Sequence, residues 1–403
     1  MRDSAGSYHH GDHSKLLRPP AAPATDDPRL DAIFVPTWRA PEDTHLAETA
    51  ALAQAQGCPL VTLHSGSATS PDLAWGRLAA ADQVIAIEVP WCARLRQLSW
   101  LGSAVLDQAG LADPGDVSLK RNLALILSRL QGWSRILFLD DDISGLSLAD
   151  LRESARLLDS CPAAGMKVTG CYDNSVVCHA YRGAYGEQGE FIGSGALAVN
   201  TARCTSFFPE IYNHDWLFLV NEQGLLQPAV RAGTVVQDDY DPFANPARAR
   251  SEEFGDVFAE GVYWLLDQGE PVFAANKAHW DEFLARRQKF IGQVLDMTGG
   301  LGLAGAEQEK RVRALKAALS RLAQITSDLC LEYLQAWEHD RQKWHAQMRG
   351  GPAGLPLDEA LAELSGMVQP GLRWRLSPQL ADRFGPPPRL GEDPCTSLSR
   401  APL

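Results

Sequence analysis

The sequence runs Arg135-Ile-Leu-Phe-Leu139 directly into Asp140-Asp141-Asp142. Three consecutive carboxylates repel one another and cannot all be buried cheaply. At the end of an apolar strand they stand where open α/β sheets present their ligands. Hard oxygen donors with room for water and phosphate suit Mg2+ or Mn2+. Such an ion would offset both the carboxylates and a diphosphate leaving group. A solvated acidic turn is the plain alternative, and the apolarity of the preceding strand weighs against it.

Other groups could share that chemistry. Lys120 and Arg121 stand in the first turn of a helix capped by Ser118, where a basic side chain and the helix dipole would both favour phosphate. Gly193-Ser194-Gly195 allows close approach of a ligand to the backbone, or makes a tight turn. His214-Asp215 precedes Trp216, and Asp215 is either a working carboxylate or a helix cap. Asp238-Asp239-Tyr240-Asp241 forms a second acidic cluster, an acceptor contact or a solvated loop.

These residues resemble the nucleotide-sugar-dependent glycosyltransferases of the GT-A fold, whose hallmark is an Asp-x-Asp motif ending a central strand. The likeness spans residues 30–295. It implies that Asp142 contacts the cation, with Asp140 and Asp141 toward the nucleotide. It places the nucleotide at Pro36-Thr37-Trp38-Arg39, a uracil or ribose contact at Glu88, and the diphosphate near Lys120 and Arg121. Gly193, Ser194 and Gly195 would lie by the sugar and acceptor. Asp215 would be the base, with His214 beside it where inverting relatives carry Glu, and Asp239 an acceptor contact. His279 would complete a site for Mn2+ or Mg2+. The implied partners are a UDP or GDP sugar and a hydroxyl acceptor. A sugar-phosphate nucleotidyltransferase is a rival, although Pro36 to Pro41 lacks its Gly-rich basic loop. A non-catalytic nucleotide-binding or assembly protein is a second rival, with the C-terminal helices as its working part.

The elements that must position these groups follow from periodicity. Residues 31–36, 59–64, 83–89 and 135–139 read as short buried strands, with helices over 43–56, from Ser118 to Gly132, and over 146–159. Their recurrence predicts an α/β fold, a GT-A-like, Rossmann-type, mostly parallel sheet with crossover helices and a helical C-terminal extension. A further strand is expected at 167–172, and 173–250 is read as irregular. Helices are expected over 253–267, 280–297 and 307–348, with Arg286, Arg287 and Lys289 on a polar face. The stripe Val312, Leu315, Ala318, Leu322, Ile325, Leu329, Tyr333 and Trp337 suits either packing on the sheet or a homodimer interface. This divides the chain into a disordered leader, 1–28, a catalytic domain, 29–298, a helical extension, 299–350, and a Pro/Gly-rich tail, 351–403.

Composition sets the outer limits. The chain has 403 residues, and 37 Lys and Arg against 50 Asp and Glu leave a net charge of −13, unsuited to a general nucleic-acid binder. The 8 cysteines form no CxxC pair and read as free thiols of a reducing compartment. With no apolar run long enough to span a bilayer and no signal-peptide core, the expected location is the cytoplasm.

Overall fold

Residues 32–37, AIFVPT, are buried throughout and form β1, which lies inside the sheet. Their side chains alternate between two cores: Ala32 and Phe34 point to one, Ile33 and Val35 to the other. A strand apolar on both faces needs cover on both, and helices supply it. The computed structural model describes residues 12–18 and 28–384, except 79–80, 97, 99, 114, 172–174, 188, 190–191 and 228.

After β1 the chain runs α1 (Leu46–Gln56), β2 (Leu60–His64), α2 (Pro71–Leu78), β3 (Val84–Glu88), β4 (Arg94–Leu95), α3 (Leu101–Ala109), α4 (Val117–Gln131) and β5 (Arg135–Leu139). Then follow β6 (Ile143–Ser144), α5 (Leu148–Leu157), β7 (Ala163–Gly170), α6 (Val176–Gly183), β8 (Ala196–Asn200), α7 (His214–Phe218) and β9 (Ala229–Gln237). The helical portion comprises α8 (Pro246–Asp267), α9 (Lys277–Gly299), α10 (Gly305–Leu322) and α11 (Ser327–Gly350). It is followed by α12 (Leu357–Gly366), β10 (Val368–Gln369), β11 (Arg373–Leu376) and α13 (Pro378–Phe384).

Nine strands form one mixed sheet in the order β11-β3-β2-β1-β5-β8-β7-β9-β6. The run β3-β2-β1-β5 is parallel. Beyond it β8 enters antiparallel to both β5 and β7, and β9 pairs parallel with β7. This agrees with the expected α/β core, a mixed sheet flanked by helices with more helices following. The parallel half puts the carboxyl ends of β1, β2 and β5 on one edge, so Thr37, His64 and Asp140 emerge together.

Several boundaries differ from the sequence reading. Residues 173–250, read as irregular, contain α6, β8, α7 and β9. The long third helical run is two helices: α10 ends at Leu322, and Thr326 caps α11 by accepting from the Leu329 amide at 3.1 Å. Residues 351–384, read as tail, form α12 to α13, and β11 pairs antiparallel with β3 from Arg373↔Glu88 to Leu376↔Ile85. Residues 12–18, read within the leader, include buried His13 and Leu16, and the Arg18 amide donates to the Ala229 carbonyl at 2.8 Å. The rest of that leader and residues 385–403 lie outside the described residues. The apolar stripe of α10 and α11 packs within the chain: Ala314, Leu315, Ala318, Tyr333 and Trp337 are buried in the larger core. Cys58, Cys161, Cys171, Cys178, Cys204 and Cys330 are free thiols, but Cys92 is disulfide-bonded, so the expectation of thiols throughout fails there. Among the described residues no helix is long and apolar enough to cross a membrane.

Candidate functional site

The site begins where β1 and β5 end. Thr37 Oγ1 donates to Asp141 Oδ2 at 2.5 Å, tying the two strand ends together. Arg39, just past β1, donates from Nη1 to Asp141 and from Nη2 to Asp142 at 3.0 Å. The Asp140 amide donates to the Gly195 carbonyl at 2.9 Å, and the Asp238 amide to the Asp142 carbonyl at 3.0 Å. The acidic triplet is thus held through its backbone and through side-chain bonds from Thr37 and Arg39.

The second wall is the start of α4. The helix begins at Val117 with Asp116 at the cap position, two residues before the expected Ser118 cap. Ser118 instead turns its hydroxyl to the Pro209 carbonyl at 2.9 Å and to His214 Nδ1 at 3.1 Å. Arg121 donates to Asp140 Oδ1 from Nη2 and to His214 Nε2 from Nη1. Since Nε2 accepts from a guanidinium, the His214 proton sits on Nδ1, 3.1 Å from the Ile211 carbonyl. Burial and then Arg121 lower its pKa to about 3, so the ring is neutral. A continuous chain therefore runs from Asp140 through Arg121 to His214.

Lys120 has a different place from the phosphate contact expected of it. It is 1% exposed, and its ammonium donates to the Thr37 carbonyl at 2.9 Å and Ser65 Oγ at 2.6 Å while pairing with Asp116 at 3.0 Å. Those three partners match the three donors an ammonium has. Lys120 is a buried strut between β1 and α4.

The third wall carries Asp215 on α7. Its Oδ2 accepts from the Ser194 amide and its Oδ1 from the Trp216 amide, each at 3.0 Å. The predicted Gly193-Ser194-Gly195 segment and Asp215 thus meet, through backbone. Burial raises the Asp215 pKa, against the opposing pull of Arg121 and the backbone donors. Asn213 sets the start of α7 in the left-handed region at φ 58°. Its Nδ2 donates to Asp256 Oδ1 of α8 at 2.8 Å. Gly255 allows that approach, since a Cβ there would lie 2.2 Å from the Tyr212 carbonyl oxygen.

Three carboxylates at the strand end face two guanidiniums, Arg39 and Arg121. Burial, followed by Asp140, raises the Asp142 pKa to about 6 despite Arg39. Burial also raises that of Asp141, over the opposing Arg39 and Thr37. Burial opposes the charge of Arg39, yet Asp141 and Asp142 outweigh it and hold its pKa above the ordinary value. Among the described residues, two buried polar atoms of this cluster meet no partner, Asp142 Oδ1 and Arg121 Nε. One is an unused acceptor and the other an unused donor, so the residues fit both a hard cation and an anionic ligand.

The remaining predicted residues surround this centre or lie apart. Pro36 is buried, Trp38 is 51% exposed, and Arg39 lies 5.5 Å from its ring centroid. Glu88 ends β3 and pairs with Arg373 of β11, a partner invisible until the C-terminal strand is placed. Asp239 is exposed, beside Asp238, which pairs with His45 at 3.0 Å. His279 Nε2 lies 3.0 Å from the Gly261 carbonyl and its ring stacks on Trp264 at 5.0 Å. Those partners belong to α8, rather than to the acidic strand end.

Sequence reading missed a second acidic centre in the helical layer. Arg287, expected on a polar surface, is fully buried and pairs with Glu253, Asp256 and Glu260. The Cys178 sulfur and carboxylate oxygens of Asp256 and Glu260 lie within 4.8 Å of one another, a geometry suited to a metal ion. The i, i+4 spacing of Asp256 and Glu260 was the available signal, but Cys178 comes from a helix some eighty residues earlier.

No family model matches the chain, and no curated protein matches it. Among solved structures, the mannosyltransferase PcManGT from Pyrobaculum calidifontis, in complex with GDP-Man and Mn2+, aligns at 13% identity over 81% of this chain and 90% of its own, with a TM-score of 0.41. A mycobacterial protein aligns at 16% identity over 60% of this chain and 76% of its own, with a TM-score of 0.36. A protein described as a nucleotide-diphospho-sugar transferase, from Desulfovibrio desulfuricans G20, aligns at 10% identity over 66% of this chain and 98% of its own, with a TM-score of 0.26.

Proposed function

We propose that this chain is a metal-dependent glycosyltransferase, moving a sugar from a nucleoside diphosphate sugar to an acceptor hydroxyl. The observation that carries the reading is the strand-end cluster with its two unused atoms, Asp142 Oδ1 and Arg121 Nε. An unused buried carboxylate oxygen and an unused guanidinium N–H in one cluster offer one group to a cation and one to an oxyanion.

Asp142 would hold Mn2+ or Mg2+, with Asp140 and Asp141 toward the nucleotide. When bound, the ion would supply positive charge against the departing diphosphate. Arg39 and Arg121 contribute fixed guanidinium donors to the same oxygens. In this structure Arg39 bridges Asp141 and Asp142, so it supplies the charge that an ion would supply. Neutral His214 positions Arg121 through Nε2 and does not itself need to titrate. The raised pKa of Asp215 suits a carboxylate that takes a proton from the acceptor hydroxyl. The exposed indole of Trp38 offers a flat face to a nucleobase.

The test is calorimetric titration of the full chain with UDP, GDP and dTDP, each with and without Mn2+. One of the three should bind more tightly in Mn2+. If none binds with the metal present, the reading fails.

A further inference from the structure

Away from the strand-end cluster, a cavity of about 170 Å³ opens between the loop before Phe207, the turn after Val220 and helix α11. Its lining includes Ser206, Glu222, Gln227, Arg341 and His345. Arg341 is 4% exposed, and its Nη2 donates to the carbonyls of Val220, at 3.4 Å, and Asn221. Among the described residues, its Nε and Nη1 are buried and meet no acceptor, and neither does buried Ser206 Oγ. The rings of Trp337 and Phe273 stand 4.9 and 5.9 Å from the guanidinium carbon and fix its orientation. Burial lowers the Arg341 pKa to about 10, against the smaller opposing effects of Glu222 and Glu338. The group therefore remains charged at neutral pH, in a place that penalises an uncompensated charge.

Nearby groups do not supply the missing counter-charge. Glu222 stands at the rim, where it accepts from Thr205 Oγ1 at 3.0 Å and pairs with Arg349 at 3.2 Å. Its carboxylate is also 3.7 Å from His345 Nδ1. Gln227 spends its amide on the Phe218 carbonyl at 3.0 Å. Arg203, another lining residue, donates to the carbonyls of Asp159 and Ser160 at 2.8 and 3.3 Å. What remains on offer is the guanidinium charge with N–H groups at Nε and Nη1 that point in different directions, the Ser206 hydroxyl and His345 Nε2.

We propose that this cavity is a binding site for a phosphate group, held by the charge and a free N–H of Arg341 and by Ser206 Oγ. A charged guanidinium N–H and a hydroxyl can each donate to an oxygen of a tetrahedral anion. The cavity is smaller than the ~300–1,000 Å³ of sites for drug-sized ligands, so it takes free phosphate or a small monoester rather than a nucleotide sugar. Apart from Arg341 and His345 of α11, its lining belongs to the stretch from Arg203 to Gln227, which also carries His214 and Asp215. An anion seated there braces the segment that presents Asp215.

The probes are inorganic phosphate and glycerol 3-phosphate, titrated calorimetrically into the full chain, with chloride at matched ionic strength as the control. At least one should bind saturably, and the tighter of the two tells free anion from monoester. Arg341→Gln should weaken that binding by about tenfold or more. Ser206→Ala should weaken it severalfold while leaving the circular dichroism spectrum unchanged, so the assignment stays testable if Arg341→Gln fails to fold. Arg39→Gln, altered at the other cluster, should leave phosphate affinity as it is. Absence of saturable binding, full affinity in Ser206→Ala or Arg341→Gln, or loss confined to Arg39→Gln would each overturn the proposal.

Discussion

Two of the acidic clusters among the described residues differ in what balances them. At the end of β5, Asp140, Asp141 and Asp142 meet Arg39 and Arg121 from other elements, and Asp142 keeps an unused oxygen. In the helical layer, Glu253, Asp256 and Glu260 share the single guanidinium of Arg287, with Glu252 paired to Arg248 nearby. All four of those helical carboxylates are buried. Their burial raises Glu252 and Glu253 to about 7 and also raises Asp256, so protons compensate charge that no side chain does. The contrast teaches that carboxylate count is a poor guide to function. The first cluster sits at a sheet edge with Arg39 partly exposed and Arg121 buried, and the second is sealed between helices. One can exchange ligands; the other joins α8 to α9.

The largest effect should come from breaking the sealed cluster. Arg287→Ala leaves buried carboxylates without their cation, and a loss of about 3–5 kcal/mol in chemical denaturation is expected. If the variant is as stable as the parent, the cluster is not a structural joint. A smaller change separates the pH behaviour of the two regions. Glu253 has a folded pKa of about 7, above the ordinary carboxylate value, so its contribution is present in acid and lost as pH rises through about 7. Wild type should therefore lose stability relative to Glu253→Gln between pH 5 and 8.5, by on the order of 1–3 kcal/mol. A pH-independent difference between the two would contradict the assignment.

At the sheet edge the expected effects are on ligands. Arg39→Gln removes the guanidinium that competes for Asp141 and Asp142, so Mn2+ alone should bind more tightly. The same change should weaken nucleoside diphosphate by about tenfold, through loss of charged hydrogen bonds. Both titrations unchanged would remove Arg39 from the site. The smallest effect concerns the link between the regions. Asn213→Gly keeps the left-handed backbone but loses the bond to Asp256, and should cost about 1 kcal/mol in thermal unfolding without altering Mn2+ affinity.

How far the sequence disclosed this arrangement follows from where each signal lies. The strands from Ala32, Leu60, Val84 and Arg135 are short apolar runs, and the left-handed Gly132 ends α4 as expected. Asp140 to Asp142 were legible because a strand that apolar leaves its following charges at an edge. By contrast, β8 and β9 are read as strands only when their partners are known, since they pair with β5 and β7 across the sheet. The Arg-Trp-Arg-Leu run of β11 has no apolar signature, and it gains meaning from the free edge of β3. The break between α10 and α11 lacks Gly or Pro, and the apolar stripe continues through it. Within the site, the meeting of Arg121 with His214 spans 93 positions, which no local pattern encodes. Lys120 looked like a phosphate ligand from its place in a first turn, but its side chain turns inward to Thr37 and Ser65. Arg287 stands in the charged run Arg286-Arg287, and only the packing of α9 on α8 decides that one is buried.

The central claim is that Asp142 holds a cation on which nucleotide affinity depends. The most direct measurement compares wild type with Asp142→Asn, titrating the nucleoside diphosphate that binds best with and without Mn2+. Wild type should bind more tightly with the metal, and Asp142→Asn should bind equally with and without it at unchanged thermal stability. A variant that retains the full metal enhancement would contradict the account.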